Sequence, residues 1–235
     1  MLSCLHEEIV ECLPLERTWD IQAPPLDSVL DMEFRLVYRG PLPSSSRSHG
    51  RATEKHEIRK QLSPQLHQFW KEHPHLKNFL VMGEVLRGPA KLGEPTNLVT
   101  RLAKQFNRGA HNFVPLVREQ EEMYCALDIL FLRRDAPGRI VQGGGDLDNR
   151  LKTLLDALKV PGTTDGLPAS SEPGLDPIFC LLQDDAQITS LKVVADRILA
   201  PREKSEDQDD VVLVIHVHIY RSTNAAQVTG LPGNV

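Results

Sequence analysis

The sequence lacks any cysteine framework. Its four cysteines, Cys4, Cys12, Cys125 and Cys180, are scattered without a C-x-x-C pair, which excludes the usual zinc spacings and a disulfide scaffold and points to a reducing compartment. Long apolar runs are also missing. The longest, Val211 to Tyr220, is about half the length that spans a membrane and contains two histidines. The first residues carry Glu7, Glu8 and Glu11 and no early Lys or Arg, so the basic flank of a secretory signal is lacking. There is no cationic excess: 27 Lys+Arg stand against 32 Asp+Glu, a net charge of −5, which argues against holding nucleic acid by bulk charge alone. A cytoplasmic protein is expected. What is present, 40% hydrophobic residues with 5% aromatics over 235 residues, is ordinary globular composition; disorder, collagen and a miniprotein fit it poorly.

Charge is unevenly placed. Residues 1–34 sum to −7, residues 35–108 to +9 and residues 109–235 to −7. A basic middle between acidic flanks suits one surface facing a polyanion, or equally a set of solvated Lys/Arg-rich helix faces. Arg35, Arg39, Arg47, Arg51, Lys55, Arg59 and Lys60 surround the Ser-rich loop Gly40 to Gly50 and are the candidate phosphate contacts, with Arg35, Arg39, Arg47, Arg51 and Lys55 as the principal set.

Periodicity divides the chain. Met32 to Arg39 alternates as a strand. From Glu54 the positions Ile58, Leu62, Leu66, Phe69 and Trp70 have helical spacing, and Ser63-Pro64 predicts a kink or break before an end at Pro74. Residues 85–112 show no clear period and read as an insertion or a lid-like connection. Phe113 to Val117 and Met123 to Leu132 read as strands. After Gly143-Gly144-Gly145, Asp146 to Leu158 places Leu147, Leu151, Leu154, Leu155 and Leu158 on one stripe of a helix. A Gly/Pro/Ser-rich loop over 161–177 precedes strands at Ile178 to Leu182, Ile188 to Val194 and Val211 to Tyr220. These elements predict an α+β single domain, a mixed or antiparallel sheet flanked by helices, over 32–220. An acidic extension over 1–31, insertions near 85–112 and 159–177 and a flexible tail over 221–235 complete it.

Acidic residues concentrate around the Leu-rich helix. Asp148, Lys152 and Asp156 form an i, i+4, i+8 row beside the apolar stripe, Asp146 stands at the helix start, and Asp184-Asp185 heads a later strand. Two readings are open. Asp146 serves equally as an N-cap, and the row as surface ion pairs worth a few tenths of a kcal/mol. Alternatively, carboxylates converging from separate elements make a site for a hard divalent cation, Mg²⁺ above all, that assists phosphodiester hydrolysis beside a lysine. An EF-hand is excluded, because Leu151 stands where its glycine is obligatory and Ala157 at its last ligand position.

Asp146, Asp148, Asn149, Lys152, Asp156 and Leu158, followed by Asp184, Asp185 and Ile188, resemble the D-x-D-N-x-x-K-x-x-x-D-x-L and D-D-x-x-[IV] motifs of the RusA family of Holliday-junction resolvases. The resemblance implies a RusA-like fold in which Asp146, Asp148 and Asp185 bind the metal and, with Lys152, form the catalytic set, while Asp156, Asp184 and Asn149 support it. It further implies Mg²⁺ (or Mn²⁺) as cofactor, branched DNA such as a four-way junction as substrate in recombination or repair, a homodimer, and a nucleoid-associated location. Lys159 to Gln183, between the two motifs, is longer than the family's usual link. The competing expectation, from the acidic total and the insertions, is a non-cleaving branched-DNA-binding or assembly protein that keeps the site's outline. A third is hydrolysis of free nucleotides. His216 and His218 share a strand face at chelating spacing, but no third ligand is identifiable; Phe69 and Trp70 read as core rather than base-stacking groups.

Overall fold

The computed structural model describes residues 31–42, 51–77, 80, 98–134, 147–162, 164, 167–199 and 210–221. The acidic extension before Asp31, Arg47, residues 81–97, the triple glycine, Asp146 and the tail after Arg221 lie outside them, as does the side chain of Arg51.

Four strands form the larger sheet. β1 (Met32–Pro41), β4 (Met123–Arg133), β6 (Ile188–Arg197) and β7 (Asp210–Arg221) run in the order β1-β7-β4-β6. β7 is antiparallel to both β1 and β4, and β4 is parallel to β6. Alternation explains why β4 and β7 form: every second side chain, including Leu127, Ile129, Phe131, Leu213, Ile215 and Val217, is buried on one face. The smaller sheet joins β2 (Asn107–Arg108), β3 (His111–Val117) and β5 (Ile178–Leu182) in that order, with β3 and β5 parallel. All five residues of β5 are buried, as expected of a strand covered on both faces.

Three helices pack on these sheets: α1 (Arg51–Glu72), α2 (Leu98–Gln105) and α3 (Leu147–Leu158). α1 packs against β5, α3 and β1. One continuous core cluster includes residues of both sheets and all three helices, in agreement with an α+β single domain.

Three expectations need correction. Of the kink or break expected at Pro64, the break is absent, because α1 runs continuously through it. Pro64 removes one intrahelical donor, yet Ile58, Leu62, Leu66 and Trp70 are buried on both sides of it, so tertiary packing holds the two halves in one helix. Ser63 accepts a hydrogen bond at Oγ from the Phe179 amide of β5 at 2.9 Å. Second, the aperiodic segment 85–112 contains α2 and β2, and Leu98, Val99, Leu102 and Phe106 are core residues. Third, the buried line of α3 is Arg150, Thr153, Leu154, Ala157 and Leu158, whereas Leu147, Leu151 and Leu155 are only partly buried. The helix turns its core face toward Arg150 because that guanidinium caps a buried carbonyl, Nη1 donating to Leu42 O at 2.5 Å.

The long link after α3 is strapped to the smaller sheet. Arg108 Nε donates to Pro161 O at 2.8 Å, His111 Nε2 meets Pro168 O at 2.9 Å, and Asp176 accepts from the Asn112 backbone and side chain, both at 2.9 Å. Trp70 is fully buried and Phe69 stacks on Phe34, so both are core as expected. Burial raises the Cys125 and Cys180 thiols to about 12, leaving them protonated and unreactive near neutral pH. No helix among the described residues is long and apolar enough to cross a membrane.

Candidate functional site

The end of α3 is fixed beside the end of β5. Lys159 forms an isolated parallel bridge with Leu182, and the Val160 amide donates to Leu182 O at 3.0 Å. This register delivers Asp184 and Asp185, the next residues but one after β5, to the side of Lys159. The two aspartates then do different work. Asp184 is the N-cap of the 3-10 turn Asp185–Gln187: its carboxylate accepts from the Ala186 amide at 3.0 Å, and its own amide donates to Gln187 Oε1 at 3.1 Å. Asp185 is left to project its carboxylate, which Lys159 Nζ reaches at 2.6 Å.

That ion pair belongs to a chain of contacts. Lys159 is also 3.7 Å from Asp156, and Asp156 accepts from Lys55 of α1 at 2.7 Å. Arg59, buried in α1, donates through Nη2 to the backbone carbonyl of Asp156 at 2.8 Å, satisfying one of the last four carbonyls of α3. The Lys159 hydrogen bond holds the Asp185 carboxyl below its ordinary value. Lys159 is correspondingly raised: burial opposes its charge, but Asp185, Asp156 and Asp184 outweigh it.

Asp148 and Lys152 are exposed in the first two turns of the same helix, and Asn149 accepts at its backbone carbonyl from Thr153 Oγ1 at 3.0 Å. Asp148 and Asp156, eight residues apart, are separated by about 12 Å along the helix axis. The structure thus joins Asp156, Asp185 and Lys159 directly and places Asp148 and Lys152 nearer the other end of the helix, beyond which Asp146 lies outside the described residues. Among the described residues no three His, Cys, Asp or Glu side chains converge closely enough to hold a metal. The donor chemistry nevertheless suits Mg²⁺. Asp148 and Asp185 carry hard carboxylate oxygens on two elements, and Asp185 is kept ionised with a side chain 49% exposed, but they stand toward opposite ends of α3, so one cation would need Asp146 or a movement of the turn to join them.

The phosphate-contact candidates divide. Arg35 and Arg39 are exposed on the outer face of β1, opposite His216 and Val212 of β7. Lys55 is engaged by Asp156. Arg59 is a correction: it lies inside the protein, because its guanidinium caps α3. Lys60 bridges Glu57 at 3.2 Å and Glu172 at 3.0 Å. His216 and His218 face acids at the start of β1 and just before it, Glu33 at 3.5 Å and Asp31 at 2.5 Å.

Sequence reasoning missed Lys159, although its i+3 spacing from Asp156 was visible. It also missed a cleft of about 400 Å³ beside Asp185, lined among the described residues by Glu119, Met123, Tyr124, Asp184, Ala186 and Gln187. That cleft depends on pairing across 60 and more residues of chain, for which no local signal exists. Compared with family models, curated proteins and solved structures, the chain matched none.

Proposed function

We propose that the protein is a Mg²⁺-dependent, structure-selective endodeoxyribonuclease acting on branched DNA, with a RusA-like arrangement of its α+β fold. The observation that carries the reading is Asp185, projected as an ionised carboxylate from the turn before β6 and tied through Lys159 to the helix that bears Asp148 and Lys152. Metal-assisted hydrolysis of a phosphodiester uses hard carboxylate ligands on a divalent cation and a further positive group to offset phosphate charge.

On this reading Asp146, Asp148 and Asp185 would hold the metal, which would supply Lewis acidity toward the phosphate and acidify water. Lys152 sets a fixed positive charge against the phosphate oxygens. Asp184 holds the turn that presents Asp185, and Asp156 keeps Lys159 and Lys55 in place. Arg35 and Arg39 contact backbone phosphates from β1. A homodimer would set two such sites on a four-way junction, placing the protein in recombination or repair.

The test is cleavage of a synthetic four-way junction with Mg²⁺ titrated from zero. Wild-type protein nicks it, and Asp148→Asn, folded to the same melting temperature, does not. Undiminished nicking by Asp148→Asn would refute the assignment. One observation favours the non-cleaving alternative: Lys159 already neutralises Asp185. In that case the wild-type protein shifts the junction's mobility at every Mg²⁺ concentration and leaves its strands intact.

A further inference from the structure

The cleft beside Asp185 lies where parallel strands end. β3 and β5 are parallel neighbours, paired as far as Val117 and Leu182. Two 3-10 turns follow them, Glu119–Glu121 and Asp185–Gln187, and these turns flank the opening. Crevices outside the carboxyl ends of parallel strands are habitual ligand sites, because the chain diverges there and leaves loop groups around a hollow. The two turns are tied together: the Glu119 amide donates to Gln183 Oε1 at 3.2 Å and the Gln183 amide to Val117 O at 2.9 Å.

Its lining is specific in chemistry. Gln187 is 4% exposed; its Oε1 is used by the Asp184 amide, while its Nε2 has no hydrogen-bond partner among the described residues. A buried amide donor without an acceptor costs about 1–3 kcal/mol, so Gln187 Nε2 would gain a partner if its side chain turned toward the hollow it lines. Glu119, exposed on the opposite turn, offers an acceptor. Tyr124 supplies a half-buried ring, and across the strand pair it meets Tyr220 with centroids 6.4 Å apart, which in turn meets His218 at 5.6 Å. The Tyr220 hydroxyl is anchored by Thr189 Oγ1. An aromatic track therefore leads from the cleft onto the outer face of the larger sheet.

We propose that this cleft receives an unpaired nucleobase of a DNA strand, stacked against Tyr124, with Gln187 donating to a ring or carbonyl acceptor and Glu119 accepting from an exocyclic amine. The proposal rests on the nuclease reading for its place in function, since Asp184 and Ala186 of the cleft flank Asp185 and a base held there would leave its phosphate near that carboxylate. A base with both an acceptor and an exocyclic amine, such as cytosine, satisfies both groups; thymine lacks the amine.

The experiment is fluorescence anisotropy of the full chain without divalent cation, using oligo-dC and oligo-dT of about 12 nucleotides, a fully paired duplex, and dCMP as competitor. Tyr124→Ala should weaken oligo-dC binding about 5- to 150-fold, the range for loss of one stacked base, with duplex binding unchanged. Tyr124→Phe should bind as wild type does, separating stacking from a folding defect, and oligo-dC should bind more tightly than oligo-dT. Absence of oligo-dC binding, equal binding by Tyr124→Ala, or equal affinity for oligo-dC and oligo-dT overturns the proposal. Competition by dCMP as effective as by oligo-dC would make the occupant a free nucleotide and also overturn it. Junction nicking separates the two claims. Tyr124-dependent binding without nicking sinks the nuclease reading alone, and nicking with unchanged Tyr124→Ala binding sinks the cleft alone.

Discussion

The two ends of α3 carry the same residue types in different settings. At the carboxyl end, Asp156 and Lys159 are clasped: Lys55 and Arg59 reach in from α1, and Asp185 closes on Lys159 from the turn before β6. At the amino end, Asp148 and Lys152 stand exposed, beside the positive pole of the helix dipole, where anionic oxygens are favoured. A carboxylate surrounded by the protein's own cations has its charge spent on joining elements. Asp148 and Lys152 keep exposed side chains near the helix start. The acidic row of α3 thus has a clasped end, which includes the Asp185 pair, and an exposed end.

That division can be broken by mutation. The largest effect should come from Lys152→Ala, which lowers the rate of junction nicking about 10²- to 10³-fold, the cost of removing one preorganised positive donor, while stability stays within about 0.5 kcal/mol; single-turnover kinetics and thermal melts check both. Arg59→Ala should do the reverse, costing about 1–3 kcal/mol of stability in urea unfolding because the Asp156 carbonyl loses its partner. Asp156→Ala should cost about 1 kcal/mol or less, since Lys55 and Lys159 pair with it at partly exposed positions.

The smallest effect is in pH dependence. Asp185 has its folded pKa below its unfolded one, so its pair with Lys159 contributes above the ordinary carboxylate value of about 3.9 and is lost as pH falls through the depressed one. Lys159, raised, contributes at neutral pH and loses that contribution as pH rises through its folded value. With Asp185 half exposed, the pair is worth under about 1 kcal/mol. Lys159→Met should flatten the acid limb of a melting-temperature profile below about pH 4; an unchanged limb would place the Asp185 shift elsewhere.

The strands were legible because one buried face makes alternation visible, as in β1, β4 and β7. The position of α2 was not, because eight residues give two turns and its apolar side is defined by β3, which lies beyond it in sequence. Pro64 does not break the helix because Ile58, Leu62, Leu66 and Trp70 pack as one surface, which a local rule about missing donors cannot weigh. The leucine stripe of α3 misplaced the core face, since counting leucines overlooks a buried Arg150 whose partner, Leu42 O, is 108 residues away. Asp148, Lys152 and Asp185 were singled out by their spacing, and of these the structure ties Asp185 to the end of α3 through Lys159. Lys159 and the cleft were not singled out, because the bridge between Lys159 and Leu182 that assembles them spans a long link with no pattern of its own.

The most direct test sets Asp148→Asn beside Asp156→Asn in parallel time courses on a four-way junction with saturating Mg²⁺. The two carboxylates sit on one helix, eight residues apart, and differ in setting rather than in kind. The prediction is that Asp148→Asn abolishes nicking with its melting temperature unchanged, whereas Asp156→Asn keeps most of the wild-type rate and melts lower. Equal nicking by Asp148→Asn and wild type, or loss confined to Asp156→Asn, would contradict the account.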